Sequence, residues 1–239
     1  MNIIKNNIAK DQDEKLYSWI RAFSSNKKTT VIELIGLPGS GKSTLANTIS
    51  LWCINGVIVF SDGNFPKDKE GRMNIKIMTF LMRIHRRILI SIHRLELLFQ
   101  NNEAFICYKK LINNSPVRRG VKQARLRMWL SGSRFYSGKK NPLLSEILIH
   151  DEGLIYRAIS LCQSDVNLID IDKYLDLLPI PDALIYIHSK NEVIKERLNK
   201  REYKVVDHAD VMDKSEAAFK QIRSKYDAIE SFDYYSDLF

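Results

Sequence analysis

With 239 residues, 45% of them hydrophobic and 27% charged, the chain has the balance of a globular domain with one real core, which excludes disordered, collagen-like and low-complexity classes. Its formal charge of +9 is uneven: Pro66 to Lys140 holds 18 Lys and Arg against 4 Asp and Glu, a basic middle inside a mildly acidic frame. At this length a single domain spanning 1–239 is expected.

Asp11 and Asp13 precede Leu16, Trp19, Ile20 and Phe23, whose i, i+3, i+4, i+7 spacing predicts a leading helix within residues 1–28, with acids where the helix dipole favours them. Thr30 to Ile35 is a short β-branched run ending in a glycine-rich turn, a first buried strand. The uncharged stretch Ser43 to Ser61 reaches membrane-spanning length, but its Ser, Thr and Asn residues and Gly56 resolve it into a helix from Lys42 to about Cys53, a turn, and a strand over Val57 to Phe60. No transmembrane segment is expected. Asn74 to Gln100 is apolar and basic together, hence helical, and two helical patches follow around Ala104 to Ile112 and Val121 to Trp129. The Gly- and Pro-punctuated stretch from Ser131 to Pro142 reads as a linker. Further apolar runs at Ile147 to His150 and Ala183 to Ile187 predict two more strands, with a helix over Glu192 to Tyr203 after the second. The last helix spans roughly Lys214 to Glu230, and no fifth strand is legible near the C-terminus. Strands separated by helices imply a parallel sheet with crossover helices, an α/β three-layer architecture.

Gly36-Leu37-Pro38-Gly39-Ser40-Gly41-Lys42-Ser43 matches G-x-x-x-x-G-K-S/T directly after a strand and at the opening of a helix, with Thr44 next in line. Such a loop aims backbone N–H groups inward, where they and the helix N-terminus bind the phosphates of a nucleotide, here expected to be ATP. Lys42 is expected to reach the β and γ phosphates and Ser43 to join the Mg2+ shell. Ile147 to Asp151 has the form of a Walker B strand, an apolar run that delivers a carboxylate beside the loop; Asp151 is read as a Mg2+ residue, the alternative being a strand-terminal cap.

These features resemble the P-loop kinases of the nucleoside-monophosphate-kinase type, over Val31 to Asp62 and Glu146 to Tyr203. GLPGSGKSTLAN followed by Ser61-Asp62-Gly63 is similar to the opening of adenylylsulfate kinases, although Asn64 stands where their turn has a second Asp. The resemblance implies that Asp62 is the general base that accepts the proton of an attacking hydroxyl; a turn-forming Asp-Gly is the alternative. Arg197-Leu-Asn-Lys-Arg201 is similar to the R-L-x-x-R lid of thymidylate and adenylate kinases and places two guanidinium groups on one helix face, which makes 189–204 the expected lid region, the alternative being a solvated basic face. Asp151-Glu152-Gly153 departs from the corresponding turns of those kinases, so the acceptor is not identified; Glu152 is a second candidate base, and Arg157 a candidate contact for an anionic acceptor. Base recognition is unassigned.

The basic insert, 66–140, falls where such kinases build the acceptor pocket, and its charge suits a small polar or anionic acceptor such as a nucleoside, nucleotide or sugar. A nucleic-acid end, an anionic membrane surface, an acidic partner and a plain solvated face are its other readings. Trp129, Phe135 and Tyr136 are more in keeping with core than with a stacking platform. The sequence thus predicts a phosphotransferase, with a nucleic-acid end kinase or repair NTPase and a nucleotide-gated adaptor as alternatives. Scattered Cys53, Cys107 and Cys162 and an N-terminus without an apolar signal stretch make the cytoplasm the expected location.

Overall fold

The computed structural model describes residues 2–23, 30–52, 57–60, 102–138, 147–200 and 208–236. Within these, the elements in chain order are α1 (Asn2–Phe23), β1 (Thr30–Gly36), α2 (Lys42–Leu51), β2 (Val57–Phe60), α3 (Glu103–Asn114), α4 (Arg119–Gly138), β3 (Ile147–His150), α5 (Tyr156–Cys162), α6 (Leu168–Asp176), β4 (Ala183–His188), α7 (Asn191–Lys200), α8 (His208–Lys225) and β5 (Ser231–Tyr235). The strands form one sheet in the order β2-β3-β1-β4-β5. Every pairing is parallel, with Glu33 opposite His150 between β1 and β3 and Gly36 opposite Ile187 between β1 and β4.

Alternation along the buried strands feeds two cores. Ile32 and Leu34 of β1, Ile147 and Ile149 of β3, and Ala183, Ile185 and Ile187 of β4 face α1 and α2, where they meet Leu16, Ile20, Leu45 and Ile49. Ile35, Leu184 and Tyr186 face the other side, packed with α3, α5, α6 and α8 around Trp129, Tyr108 and Tyr174. Buried on both faces, the central strands show the continuous apolar runs of a parallel sheet covered by helices. This is the three-layer α/β P-loop architecture expected from the sequence.

Three expectations change. α1 begins at Asn2, so Asp11 and Asp13 lie inside the helix rather than at its start; Asp13 instead accepts a hydrogen bond from the Tyr234 hydroxyl at 3.1 Å, and its partial burial there raises its pKa. Ser131 to Gly138, expected as a linker, is the last part of α4. Ser131, Gly132 and Ser133 are buried, with Gly132 packed beside Leu154 and His150, so tertiary packing overrides the weak helix propensity of Gly and Ser. Finally, a fifth strand does exist. β5 hides its signal because it is an edge strand of alternating polar and aromatic residues, held to the body by Arg223, which donates to both carboxylate oxygens of Asp233 at 2.9 and 3.0 Å.

Candidate functional site

The phosphate loop leaves β1, the central strand, at the carboxyl ends of the sheet where the strand order reverses, the usual place for a ligand crevice in such sheets. Gly39 and Gly41 take φ of 81° and 101°, left-handed values that a side chain resists, and they curl the loop so that α2 starts at Lys42. The curl is closed by Ser40 N–H donating to the Leu37 carbonyl at 3.0 Å. The Lys42 ammonium folds inward, donating to the carbonyls of Gly36 and Leu37 at 2.9 and 3.0 Å, and lies 4.4 Å from the centre of the Tyr156 ring. Ser43 and Thr44, one position on, are exposed at the mouth.

β3 delivers Asp151 beside this loop. The Ser43 hydroxyl donates to the Asp151 carboxylate at 3.4 Å, so the two residues read as Mg2+ holders from opposite ends of the sequence meet, 108 positions apart. A hydroxyl and a carboxylate are hard oxygen donors, which suits Mg2+ with water and phosphate oxygens completing its shell. Asp151 is buried, as a carboxylate at the end of an inner strand must be.

The turn that follows is a polar cluster. Arg157, 1% exposed, donates to the Glu152 carboxylate at 3.2 Å and to the Glu152 carbonyl at 2.6 Å. Glu152 is half-buried in that pairing, and its N–H donates to His150 Nδ1 at 3.2 Å. Burial lowers the His150 pKa to about 3, with the Arg157 charge adding to the effect, so the imidazole is neutral. Because Nδ1 accepts, the proton sits on Nε2.

On the other flank, Arg197 of α7 reaches the loop itself. It donates to the Gly39 carbonyl at 3.3 Å, to the Ser236 hydroxyl at 3.2 Å and to the Ser236 carbonyl at 3.3 Å, and Ser236 in turn donates to the Ser40 carbonyl at 2.6 Å. The structure thus gathers Gly36, Pro38, Gly39, Ser40, Gly41, Lys42, Ser43, Thr44, Asp151, Glu152 and Arg197 at one end of the sheet. Asp62 and Arg201 lie outside the described residues, as does about half of the basic insert. Within its described part, Trp129 is core, donating from Nε1 to the Tyr174 hydroxyl at 2.9 Å, and Arg125 is spent on the Ser160 carbonyl. Sequence reasoning missed Ser236, Tyr156 and Glu33. Ser236 follows the unrecognised β5, and neither aromatic nor acid carries a spacing signal of its own. Among the described residues no helix is long and apolar enough to cross a membrane.

No family model matches this chain, and no curated protein does. Among solved structures it is similar to a deoxyadenosine kinase from M. mycoides, at 16% identity over 85% of this chain and 89% of that one, with a TM-score of 0.48. A thymidylate kinase from Candida albicans is similar at 18% identity over 87% and 85%, TM-score 0.43. The YorR protein from Bacillus subtilis, in complex with phosphorylated GDP, is similar at 16% identity over 87% and 86%, TM-score 0.38.

Proposed function

We propose that this protein is an ATP- and Mg2+-dependent kinase that transfers the γ-phosphoryl group to a small polar or anionic acceptor, such as a nucleoside, a nucleotide or a sugar. The observation that carries the reading is the meeting of Ser43 and Asp151 at 3.4 Å beside an inward-folded Lys42, since nucleotide chemistry needs the loop and the Walker B carboxylate at one point. Bound Mg2+ would be held by Ser43 and Asp151 and would neutralise charge on the β and γ phosphates. Lys42 supplies the fixed positive charge on the phosphate side once its ammonium exchanges loop carbonyls for phosphate oxygens. Arg197 starts from contact with the loop backbone, so a short rearrangement brings its guanidinium onto phosphate, where charge-assisted hydrogen bonds replace neutral ones. Arg201, four positions further along the sequence, is assigned to the same lid. Catalysis of this kind is mainly positioning and charge neutralisation.

Asp62 is the proposed general base toward an acceptor hydroxyl. Glu152 is the weaker candidate, because its carboxylate already pairs with Arg157. Replacing Asp62 with Asn would then lower kcat by about 100- to 10,000-fold with little change in ATP affinity. A near-normal kcat would indicate an acceptor phosphate, ionised without help. The deciding experiment incubates the protein with Mg2+, γ-labelled ATP and a panel of nucleosides, nucleotides and sugars, and scores labelled acceptor rather than ADP. Labelled product that vanishes with Lys42→Ala supports the kinase; tight ATP binding with no acceptor labelled sinks it in favour of a nucleotide-gated adaptor.

A further inference from the structure

Glu33 lies in the middle of β1, three residues before the phosphate loop, and is wholly buried. Its register partner is His150, the residue immediately before Asp151. One carboxylate oxygen accepts from the Tyr136 hydroxyl at 2.5 Å and from Leu154 N–H at 2.8 Å; the other accepts from Ile155 N–H at 3.0 Å. Those two N–H groups belong to the turn that leads into α5, whose own first N–H groups are served by backbone carbonyls, Arg157 N–H by Leu154 and Ala158 N–H by Ile155, so Glu33 supplies the acceptors that the turn itself lacks. The contact is closed from above: a Cβ on Gly153 would sit 2.0 Å from the Glu33 carboxyl carbon and within 2.3 Å of both oxygens.

A buried carboxylate is expensive, and burial raises this one's pKa against the pull of its three donors and Arg157. The neighbouring β1 positions Ile32, Leu34 and Ile35 show that apolar residues fill this strand readily, so stability alone does not call for an acid here. What the acid does is join three parts of the site: β1 with its phosphate loop, the Asp151-Glu152-Gly153 turn, and α4, which bears Tyr136.

We propose that Glu33 is a positioning residue for the kinase reaction, a buried bracket that holds the Asp151 turn against the phosphate-loop strand and fixes helix α4 of the insert to the same point. The assignment rests on the kinase reading above. It predicts that the consequences of losing Glu33 appear in the Mg2+-dependent part of nucleotide binding. The phosphate loop would bind phosphate through its own backbone and Lys42, whereas the hydrogen bonds of Glu33 described above go to Tyr136, Leu154 and Ile155. Asp151, by contrast, owes its position to the turn that Glu33 holds, and outer partners of metal carboxylates typically contribute about 10- to 100-fold.

The test titrates a fluorescent ATP analogue into the full-length protein with Mg2+ and with EDTA, alongside thermal melting. In Glu33→Gln, which keeps the size but turns one acceptor oxygen into a donor, affinity in EDTA stays within about 2-fold of the native protein, while the gain conferred by Mg2+ falls about 10- to 100-fold. Tyr136→Phe keeps the Mg2+ gain and raises the KM for the acceptor. If Glu33→Gln does not fold, a two-by-two comparison replaces it: Gly153→Ala lowers the Mg2+ gain with Glu33 present and adds nothing further in a Glu33→Ala background. An undiminished Mg2+ gain in folded Glu33→Gln, or losses that simply add in the paired variants, overturns the bracket and leaves the kinase reading standing. A native protein that binds no ATP in either condition overturns both.

Discussion

On the β3 flank of the phosphate loop, each tie has a buried charged partner: the Glu33 carboxylate accepts from Tyr136 at 2.5 Å, and the Arg157 guanidinium donates to the Glu152 carbonyl at 2.6 Å and to its carboxylate at 3.2 Å. On the β5 flank, half-buried Arg197 reaches Gly39 and Ser236 through three bonds of 3.2 to 3.3 Å. Long bonds from a partly solvated guanidinium to neutral oxygens are inexpensive to exchange, whereas breaking a buried charge pair leaves an uncompensated charge. The two flanks therefore suit different tasks. In the proposed kinase, the side that would hold Mg2+ is preorganised, and the side that would meet the nucleotide through Arg197 has weaker ties to exchange.

The sharpest way to break this comparison is at its hinge, Lys42, which both flanks adjoin. Lys42→Ala should lower the rate of phosphoryl transfer by about 100- to 1,000-fold or more, as loss of one preorganised charge does, while circular dichroism still shows a folded protein. Next is the rigid flank itself: Asp151→Asn should weaken Mg·ATP binding by about 10- to 100-fold while leaving Mg2+-free binding close to native, a split visible by calorimetry. On the flexible flank the pattern should invert. Arg197→Ala should reduce kcat by about 10- to 100-fold with the melting temperature nearly unchanged, because its present partners are neutral and its working partner is the charged phosphate. Ser236→Ala removes the hydrogen bond donated to the Ser40 carbonyl and the long one accepted from Arg197, and should cost about 1 kcal/mol of stability, measured by urea unfolding, with no more than a few-fold change in ATP affinity.

The smallest effect concerns pH. His150 is held neutral on the rigid flank, with a pKa of about 3, while an unfolded histidine titrates near 6.5. Between these values the unfolded chain binds a proton that the folded one refuses, so His150 makes the fold lose stability as pH falls from about 6.5 toward 3, and contributes no such slope above 6.5. Urea unfolding at pH 7.5 and pH 5 should show a smaller stability loss in His150→Gln than in the native protein. An equal loss in both would mean that His150 is not kept neutral by its burial.

How much of this was legible in advance differs by flank. The phosphate loop is local chemistry: glycines that tolerate positive φ, a lysine and a hydroxyl must stand at fixed spacings within one turn, so Gly36 to Thr44 announce themselves in the sequence. Asp151 was legible for the same reason, since an apolar strand ending in a carboxylate is a local pattern. The β1, β3 and β4 strands followed from their largely apolar runs, because inner strands of a covered parallel sheet are buried on both faces, and β2 at the edge of the sheet was marked by a short apolar run of the same kind.

Only the tertiary structure decided the rest. Ser131 to Gly138 carries a turn's composition and becomes helix where Ser131, Gly132 and Ser133 are buried against the turn after β3. β5 is half-solvated and lacks an apolar run, so its existence depends on Arg223 and on the neighbouring strand β4. Arg157, a candidate contact for an anionic acceptor by its place after the Walker B turn, is buried and paired with Glu152, and Glu33, a lone acid in a hydrophobic strand, gains its meaning from Tyr136, Leu154 and Ile155, more than 100 positions away. Sequence specifies what a residue is able to do within a few residues of itself. Which distant donors surround a buried charge is fixed when the sheet closes and strand register sets Glu33 opposite His150.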